Sequence, residues 1–518
     1  DAAGRLTGAQ DAALRNWQYT YDKIGRLTAI TDPLGKTTGY AYDAAGNLTR
    51  QTDANGAEVL LAYDALNRAV AYTDENGNES RAEYDALGNV IRQTQADGGE
   101  YQYLYDALGR LTRQRDPMGY VTEYSYDAQG NLASLQLPNG GAYAYSYSAM
   151  GRLTGETDPL GNKTGYKNDL LGRVVQKTLA NGAEYTYSYD ALGRVTQLTG
   201  PEGRRLSYAY NAAGDLVSET DALGRRTSYA YDALHQLTRI TDAAMGETRV
   251  DYDPAGNIAR VSSPMGNTQQ YSYDALDRLT RATDPAGAVT EYMYDAVSNL
   301  TGIVEPGGRK TTLRYDPAGN LTGVTDALGQ SVSFAYDSMD RLVRYTSAAG
   351  AATNYTYDLN GRLAAMQDAA GGFVRYAYDA MGNVSSITDG AGRKTQYGYD
   401  LLDRLTTVTD GTGAVTRYAY DSVGNLTART DGGGNTTTYT YDLAGQLLSA
   451  TDPEGKATVN TYDAAGNLTG TALPSGKNIA ERRHETDALP GQAASLERFG
   501  ARNFPETPAF RMPPFSIR

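Results

Sequence analysis

Tyr105-Asp-Ala-Leu-Gly-Arg-Leu-Thr-Arg-Gln-Arg-Asp-Pro-Met-Gly-Tyr-Val-Thr-Glu-Tyr-Ser125 is one unit, and Tyr126-Asp127 starts the next. The Tyr that precedes Asp recurs at 21, 42, 63, 84 and onward to 462, always 21 residues apart. Of these 22 positions 21 are Tyr, and the exception is Asn168. Such in-register self-similarity marks a repeat architecture. The unit holds two turn signals. In Asp116-Pro117-Met118-Gly119, Pro presets φ and Gly supplies a left-handed residue. In Tyr105-Asp106-Ala-Leu-Gly109, Asp can cap backbone N–H groups. Between the turns, Thr122, Tyr124 and Tyr126 alternate, which places them on one face of a strand. The segment after the Tyr-Asp turn is less regular. Leu27 and Ile30 lie three apart, which predicts a bulge or an irregular strand end. No 3.6-residue period survives, so the unit is a β-hairpin.

The composition is this repeat seen without its register. The 518 residues include 58 Gly and 43 Tyr but 6 Phe, 1 Trp, 2 His and no Cys. A prior of ~150 residues per domain suggests three or four domains, and the repeat replaces them with one unit used over and over. Zero Cys excludes a disulfide scaffold, a thiol nucleophile and cysteine zinc sites. The net charge of −14 disfavours nucleic acid as a partner. No apolar run is long enough for a membrane-spanning helix. Residue 1 is Asp and no signal segment follows, which implies that the chain begins inside a longer protein.

Roughly 44 strands at ~4.8 Å each make a sheet on the order of 200 Å wide. An open twisted sheet of that width must coil, close or split. The expected fold is all-β: tandem 21-residue hairpins in one long sheet coiled around a hollow interior. A β-propeller would need about eleven blades, beyond the usual range. A solenoid with one coil per repeat fits two fixed turns less well.

The unit resembles the YD, or RHS, repeat, in a flavour closer to bacterial Rhs proteins than to animal teneurins. The resemblance covers residues 1–476, about 22 copies, and residues 477–518 form a separate Pro- and Phe-rich tail. It implies an encapsulating β-shell segment of a polymorphic toxin, like that of the Tc-complex C component, around a C-terminal toxin cargo. The implied partners are the enclosed toxin domain and delivery or secretion components. The implied location is secreted or cell-surface after synthesis in the bacterial cytoplasm. The family's Asn-Pro and Asp-Pro-x-Gly-Leu end-of-shell signature is not found, so its self-cleaving aspartates are assigned to no residue. The expected role is therefore non-enzymatic, with the cargo absent from this chain. The tail is either the product of a truncated or frame-shifted gene or a short tip folded into the shell. The alternative function is a surface adhesin or carbohydrate-binding repeat with glycan partners.

No catalytic, cofactor or metal residue is assigned. The signature residues are structural: Tyr42, Asp43, Gly46 and Leu48; Tyr105, Asp106, Gly109 and Leu111; Asp116, Pro117 and Gly119; Tyr124, Tyr126, Asp127 and Gly130. The Tyr pairs are expected to pack across strands with their hydroxyls facing the lumen. The even spacing of Asp suggests turn capping rather than calcium binding or catalysis. Breaks in the pattern carry the remaining information. Asn67, His235, Asp277, Ser298, Asp340 and Asp403 replace the first Gly, and all are expected as turn residues. Asn168 is expected to be drift, His484 a solvated residue of the tail, and Trp17 a cap on an exposed edge.

Overall fold

The computed structural model describes residues 1–479 of the chain. They form 46 strands in one sheet, and every strand pairs antiparallel with its neighbours in sequence. The one helical element among the described residues is a single 3₁₀ turn, Pro201–Gly203. Among the described residues no helix is long and apolar enough to cross a membrane.

The representative unit runs through β10 (Glu100–Tyr105), β11 (Leu111–Arg115), β12 (Val121–Tyr126) and β13 (Leu132–Gln136). Both kinds of turn have the same build. Asp106 N–H donates to the Arg110 carbonyl and Gly109 N–H to the Asp106 carbonyl, both at 3.0 Å. Asp116, Gly119 and Tyr120 repeat this pattern in the Asp-Pro turn. It is the three-residue hairpin loop, whose last residue must be left-handed. Gly109 and Gly119 take φ of 75° and 90°.

The irregular segment is a bulge. Leu104 faces Arg113 and Tyr105 faces Leu111, which leaves Thr112 without a partner residue. Its hydroxyl bonds the Leu104 carbonyl at 3.2 Å. The bulge recurs at the end of each Tyr-Asp hairpin, as between Ala41 and Tyr42 and between Ser125 and Tyr126. Bulges bend and twist a strand, so a bulge in every repeat gives the ribbon a steady curvature.

That curvature closes on itself one coil later. Asn55 Nδ2 reaches Asp295 Oδ2 at 3.1 Å and Asn76 Nδ2 reaches Asp316 Oδ2 at 3.2 Å, each 240 residues away. Asn139 and Asn181 reach carbonyls 262 residues away. The midpoint of these separations is about twelve repeats, or ~24 strands per coil. At ~4.8 Å per strand the circumference is ~115 Å and the backbone diameter ~37 Å. The described chain makes just under two such coils. They stack so that Asp-Pro turns of the first meet Tyr-Asp turns of the second.

There is almost no conventional core. The buried apolar residues are Ala82, Tyr103, Leu135, Ala183 and Leu198, and no large side chain is fully buried. The accessible surface is 30,583 Å², against roughly 18,000 Å² for a compact monomer of this mass. The excess is the second face of a single-layer sheet. The Tyr-bearing face is the more enclosed, with Tyr103 at 8% and Leu135 at 4% exposure. Concave curvature crowds side chains and convex curvature spreads them, so this face lines the bore. Trp17 does not cap the edge. It lies on β2 (Asn16–Tyr21) opposite Ala9 of the edge strand β1 (Gly8–Gln10), beside Arg15.

Candidate functional site: turn ladder, seam and bore

The Tyr-Asp turns share one carboxylate cap, and those that carry an arginine are tied by it to the next turn. Asp106 Oδ1 accepts the N–H groups of Leu108 and Arg110, at 2.9 and 3.0 Å. Its Oδ2 accepts Arg110 Nε at 2.7 Å. The Arg110 side-chain bond, then its backbone N–H, holds the Asp106 carboxyl below the usual range. Asp22 is held down in the same way by Arg26. The arginine also reaches forward. Arg26 Nη1 donates to the Asp43 carbonyl at 2.7 Å, and its guanidinium sits 4.9 Å from the Tyr42 ring centroid. Asn47 replaces the arginine in the next turn and bonds the Asp43 carboxylate at 2.9 Å.

The tyrosines that precede Asp do not point their hydroxyls into the lumen. Tyr42 donates to the Leu27 carbonyl at 2.8 Å, Tyr105 to Val90 at 2.9 Å and Tyr126 to Leu111 at 2.8 Å. The hydroxyl satisfies the carbonyl of the aliphatic residue fifteen positions back, which explains Tyr over Phe in this column. Asn168, expected as drift, keeps the function: its Nδ2 donates to the Leu153 carbonyl at 2.9 Å. The second aromatic column stacks along the strand, as in Tyr101 and Tyr103 at 6.5 Å and 14°. Burial pushes the Tyr103 phenol up to about 12. Of the other signature residues, Tyr124 faces Leu135 across the bore side, Gly46 and Gly130 take φ of 97° and 92°, and Asp127 caps the Asn131 N–H at 2.9 Å. Leu48 faces Tyr42 at its bulge, and Pro117 opens the turn that Asp116 caps at Tyr120 N–H, 2.8 Å.

The six residues that replace glycine in Tyr-Asp turns share a feature that single positions do not reveal. All six have φ between 57° and 76°. Each meets the side chain twenty residues earlier. Asn47 donates to Asn67, Asn257 to Asp277, Asn320 to Asp340 and Asn383 to Asp403. Arg278 donates to Ser298 at 3.2 Å, and His235 Nδ1 lies 3.0 Å from Asp215 Oδ2. A search for covariation at this spacing would have found them.

The seam adds ion pairs: Arg15 with Asp277 at 2.5 Å, Arg341 with Asp97 at 3.0 Å and Arg204 with Asp442 at 3.1 Å. At Arg204 the two coils border an open pocket of about 740 Å³, lined by Glu202, Arg204, Tyr439, Asp442, Gln446 and Asp463 among others. Among the described residues no group of three or more His, Asp or Glu could hold a metal ion. His484 and the rest of the tail beyond 479 lie outside the described residues.

This arrangement defines a class: a single-layer wall of hairpin repeats, coiled and stacked. The family model named RHS Repeat matches the chain in overlapping windows from residues 1–37 to 441–478. The chain belongs to the RHS-repeat family. No curated protein matches it. Among solved structures it is similar to the crystal structure of TcdB2-TccC3 without its hypervariable C-terminal region, at 15% identity and a TM-score of 0.54, over 91% of this chain and 31% of that one. The crystal structure of TcdB2-TccC3-TEV gives 16% identity and a TM-score of 0.50 over 90% and 31%. The chain thus spans about a third of the length of the solved chains it matches.

Proposed function

We propose that this chain is a wall segment of a container that encloses a polypeptide cargo, as part of a toxin protein that is secreted or displayed. The observation that carries the reading is a single-layer sheet that coils back on itself after about 240–262 residues, with almost no packed core among the described residues. Side chains on the inner face take up about half of a ~10 Å sheet spacing on each side. That leaves a bore of ~27 Å. A folded 100-residue domain, with a radius of gyration of about 13 Å, is wider than this. A single helix of ~10–12 Å or an extended chain fits easily. The wall therefore suits a cargo held unfolded, and the toxin and delivery partners of the resemblance belong to this reading. Glycan binding is less well served. The hydroxyls of the tyrosines that precede Asp are spent on backbone carbonyls, and guanidinium groups cover rings such as Tyr42, Tyr126 and Tyr294.

Electron microscopy of the purified chain tests the proposal. A hollow ring of ~24 strands in axial view is expected. A solid rod or a flat open ribbon would overturn it.

A further inference from the structure

One column of the bore face changes character between the coils. It is the residue that faces the second aromatic across each Tyr-Asp hairpin, as Gln114 does Tyr103 and Ile303 does Tyr292. In the first coil six of the ten repeats from Ile30 to Glu219 are polar there: Gln51, Gln93, Gln114, Glu156, Lys177 and Glu219. In the second coil the nine consecutive repeats from Ile240 to Val408 hold only Ile, Val, Ala, Met or Tyr, among them Ile303, Val324 and Ile387. The bulge brings Leu300 onto the same face, opposite Tyr294. The result is a belt two apolar side chains deep, with no charged residue at the strand positions of this face. Ile303, Val324 and Ile387 are half-exposed, so they are not packed into a core. The phenols differ as well. Tyr103 donates to Gln93 at 3.4 Å and Tyr229 to Glu219 at 3.0 Å. The hydroxyls of Tyr292, Tyr355, Tyr376 and Tyr397, beside the belt, make no hydrogen bond among the described residues.

We infer that the bore face of the second coil is a binding belt for an extended, uncharged polypeptide segment rich in aliphatic and aromatic side chains. The inference rests on the container reading above and names the part of a cargo that this stretch of wall holds. A contiguous apolar band marks an interaction surface rather than scattered exposure. Charge complementarity selects the segment. A Lys or Glu pressed against the belt would lose water and find no partner, whereas the first coil offers Glu156, Lys177 and Glu219 to charged stretches. The phenols select a polypeptide over an acyl chain, because the N–H and C=O groups of an extended segment need hydrogen-bond partners. Nine repeats, or about 18 strands, make ~86 Å of belt, enough for about 25 extended residues.

The test uses the full chain, which has no Cys, so one introduced cysteine is a unique labelling site. Thr311→Cys lies on the belt opposite Ile303, and Thr122→Cys is its equivalent in the first coil, opposite Gln114. Each carries a bimane, which tryptophan quenches on contact. The probe is a peptide of about 20 residues, built from Ile, Val, Phe, Thr and Ser around one Trp, to match the belt. A control peptide has Glu and Lys in place of Ile, Val and Phe. The apolar peptide is expected to quench the Thr311→Cys label at a concentration about tenfold lower than the Thr122→Cys label, and the control is expected to show no such preference. Ile303→Thr, Val324→Thr and Ile387→Thr together are expected to weaken the apolar peptide about tenfold with circular dichroism unchanged. Gln93→Ile with Gln114→Ile is expected to bring quenching to the Thr122→Cys label, a gain that misfolding does not mimic. Equal quenching of both labels would overturn the inference and leave the container standing. So would no quenching of either label in a chain that electron microscopy shows as a hollow ring. A solid rod would remove the container reading, and this inference with it.

Discussion

The Asp-Pro turns of the first coil and those of the second share a backbone but differ at the residue before glycine. In the first coil five turns hold Asn or Asp there, Asn55, Asn76, Asp97, Asn139 and Asn181, and others hold Leu34, Met118, Leu160 and Leu223. In the second no turn holds Asn or Asp there, and small residues such as Ala286, Gly307, Ala349, Ala370, Ala391 and Gly433 are the most common. The first five reach across the seam to Asp295, Asp316, Arg341, Leu401 and Leu443. The second set faces no other coil. The repeat thus answers two demands at once: a fixed hairpin that builds the ribbon, and one variable position that supplies Asn or Asp to five contacts across the seam.

The largest effect on both regions comes from pH, because seam and rim turns use the same carboxylate caps. Asp22, Asp106 and Asp431 are held below the usual carboxylate range, first by side-chain bonds from Arg26, Arg110 and Asn435. Their stabilisation is complete above the unfolded value of ~3.9 and is lost as pH falls through the lower folded value. Cooperative loss of the β-sheet dichroism is expected below about pH 4. At the other end, Tyr103 and Tyr145 are pushed up to about 12 by burial. Their contribution is complete below ~10 and lost between ~10 and about 12, as tyrosinate absorbance would follow. Sheet loss that begins well above pH 4 would break the account of the turns.

Next in size is the position where the repeat departs from its own rule. Asn168→Leu leaves the Leu153 carbonyl without its donor and is expected to cost about 1–2 kcal/mol in urea unfolding. Asn168→Tyr restores the family residue and is expected to fall within ~0.5 kcal/mol of wild type. Equal losses for both would show that the carbonyl bond is not what the column conserves in this chain.

The hairpin, its two turns, the bulge and the hollow coil were legible in the sequence because each depends on local chemistry repeated in register. Gly109, Pro117 and the Tyr124–Tyr126 alternation suffice for them. The number of hairpins per coil was not legible. It depends on the small twist added at each bulge, which no residue type encodes by itself. A trace of it was present: in the Asp-Pro turns Asn before glycine occurs only up to Asn181 and then stops. The role of the Tyr hydroxyl was also out of reach, since its acceptor lies fifteen residues back through a bulge whose register composition does not fix.

A smaller difference separates ion pairs at the seam from those on the rim. Arg341 bridges Asp97 across the seam and Asp337 in its own turn, with side chains 11–22% exposed. Arg393 pairs with Asp389 on a free turn and is 77% exposed. Arg341→Ala leaves two partly buried carboxylates without their cation and is expected to cost about 1–3 kcal/mol. Arg393→Ala is expected to stay within ~0.5 kcal/mol, because solvent screens an exposed pair. Thermal unfolding of both variants checks the ordering, and a reversal would mean that the coils are not held together at the seam.

The smallest effect tests whether a left-handed side chain is tolerated for its contact. His235 takes φ of 62° and faces Asp215, whose hydrogen bond raises the imidazole above its ordinary value. The stabilisation from that pair is complete below about 6.5 and is lost as pH rises through the folded value. His235→Gly removes the pair but also relieves the left-handed strain, a term of ~1 kcal/mol. The two oppose each other. The variant is therefore expected to be nearest wild type below about 6.5 and to gain on it at a pH above the folded value, where the pair is lost and the strain persists. A variant that loses stability equally at both pH values would show that the contact, not the backbone, sets the residue at this turn.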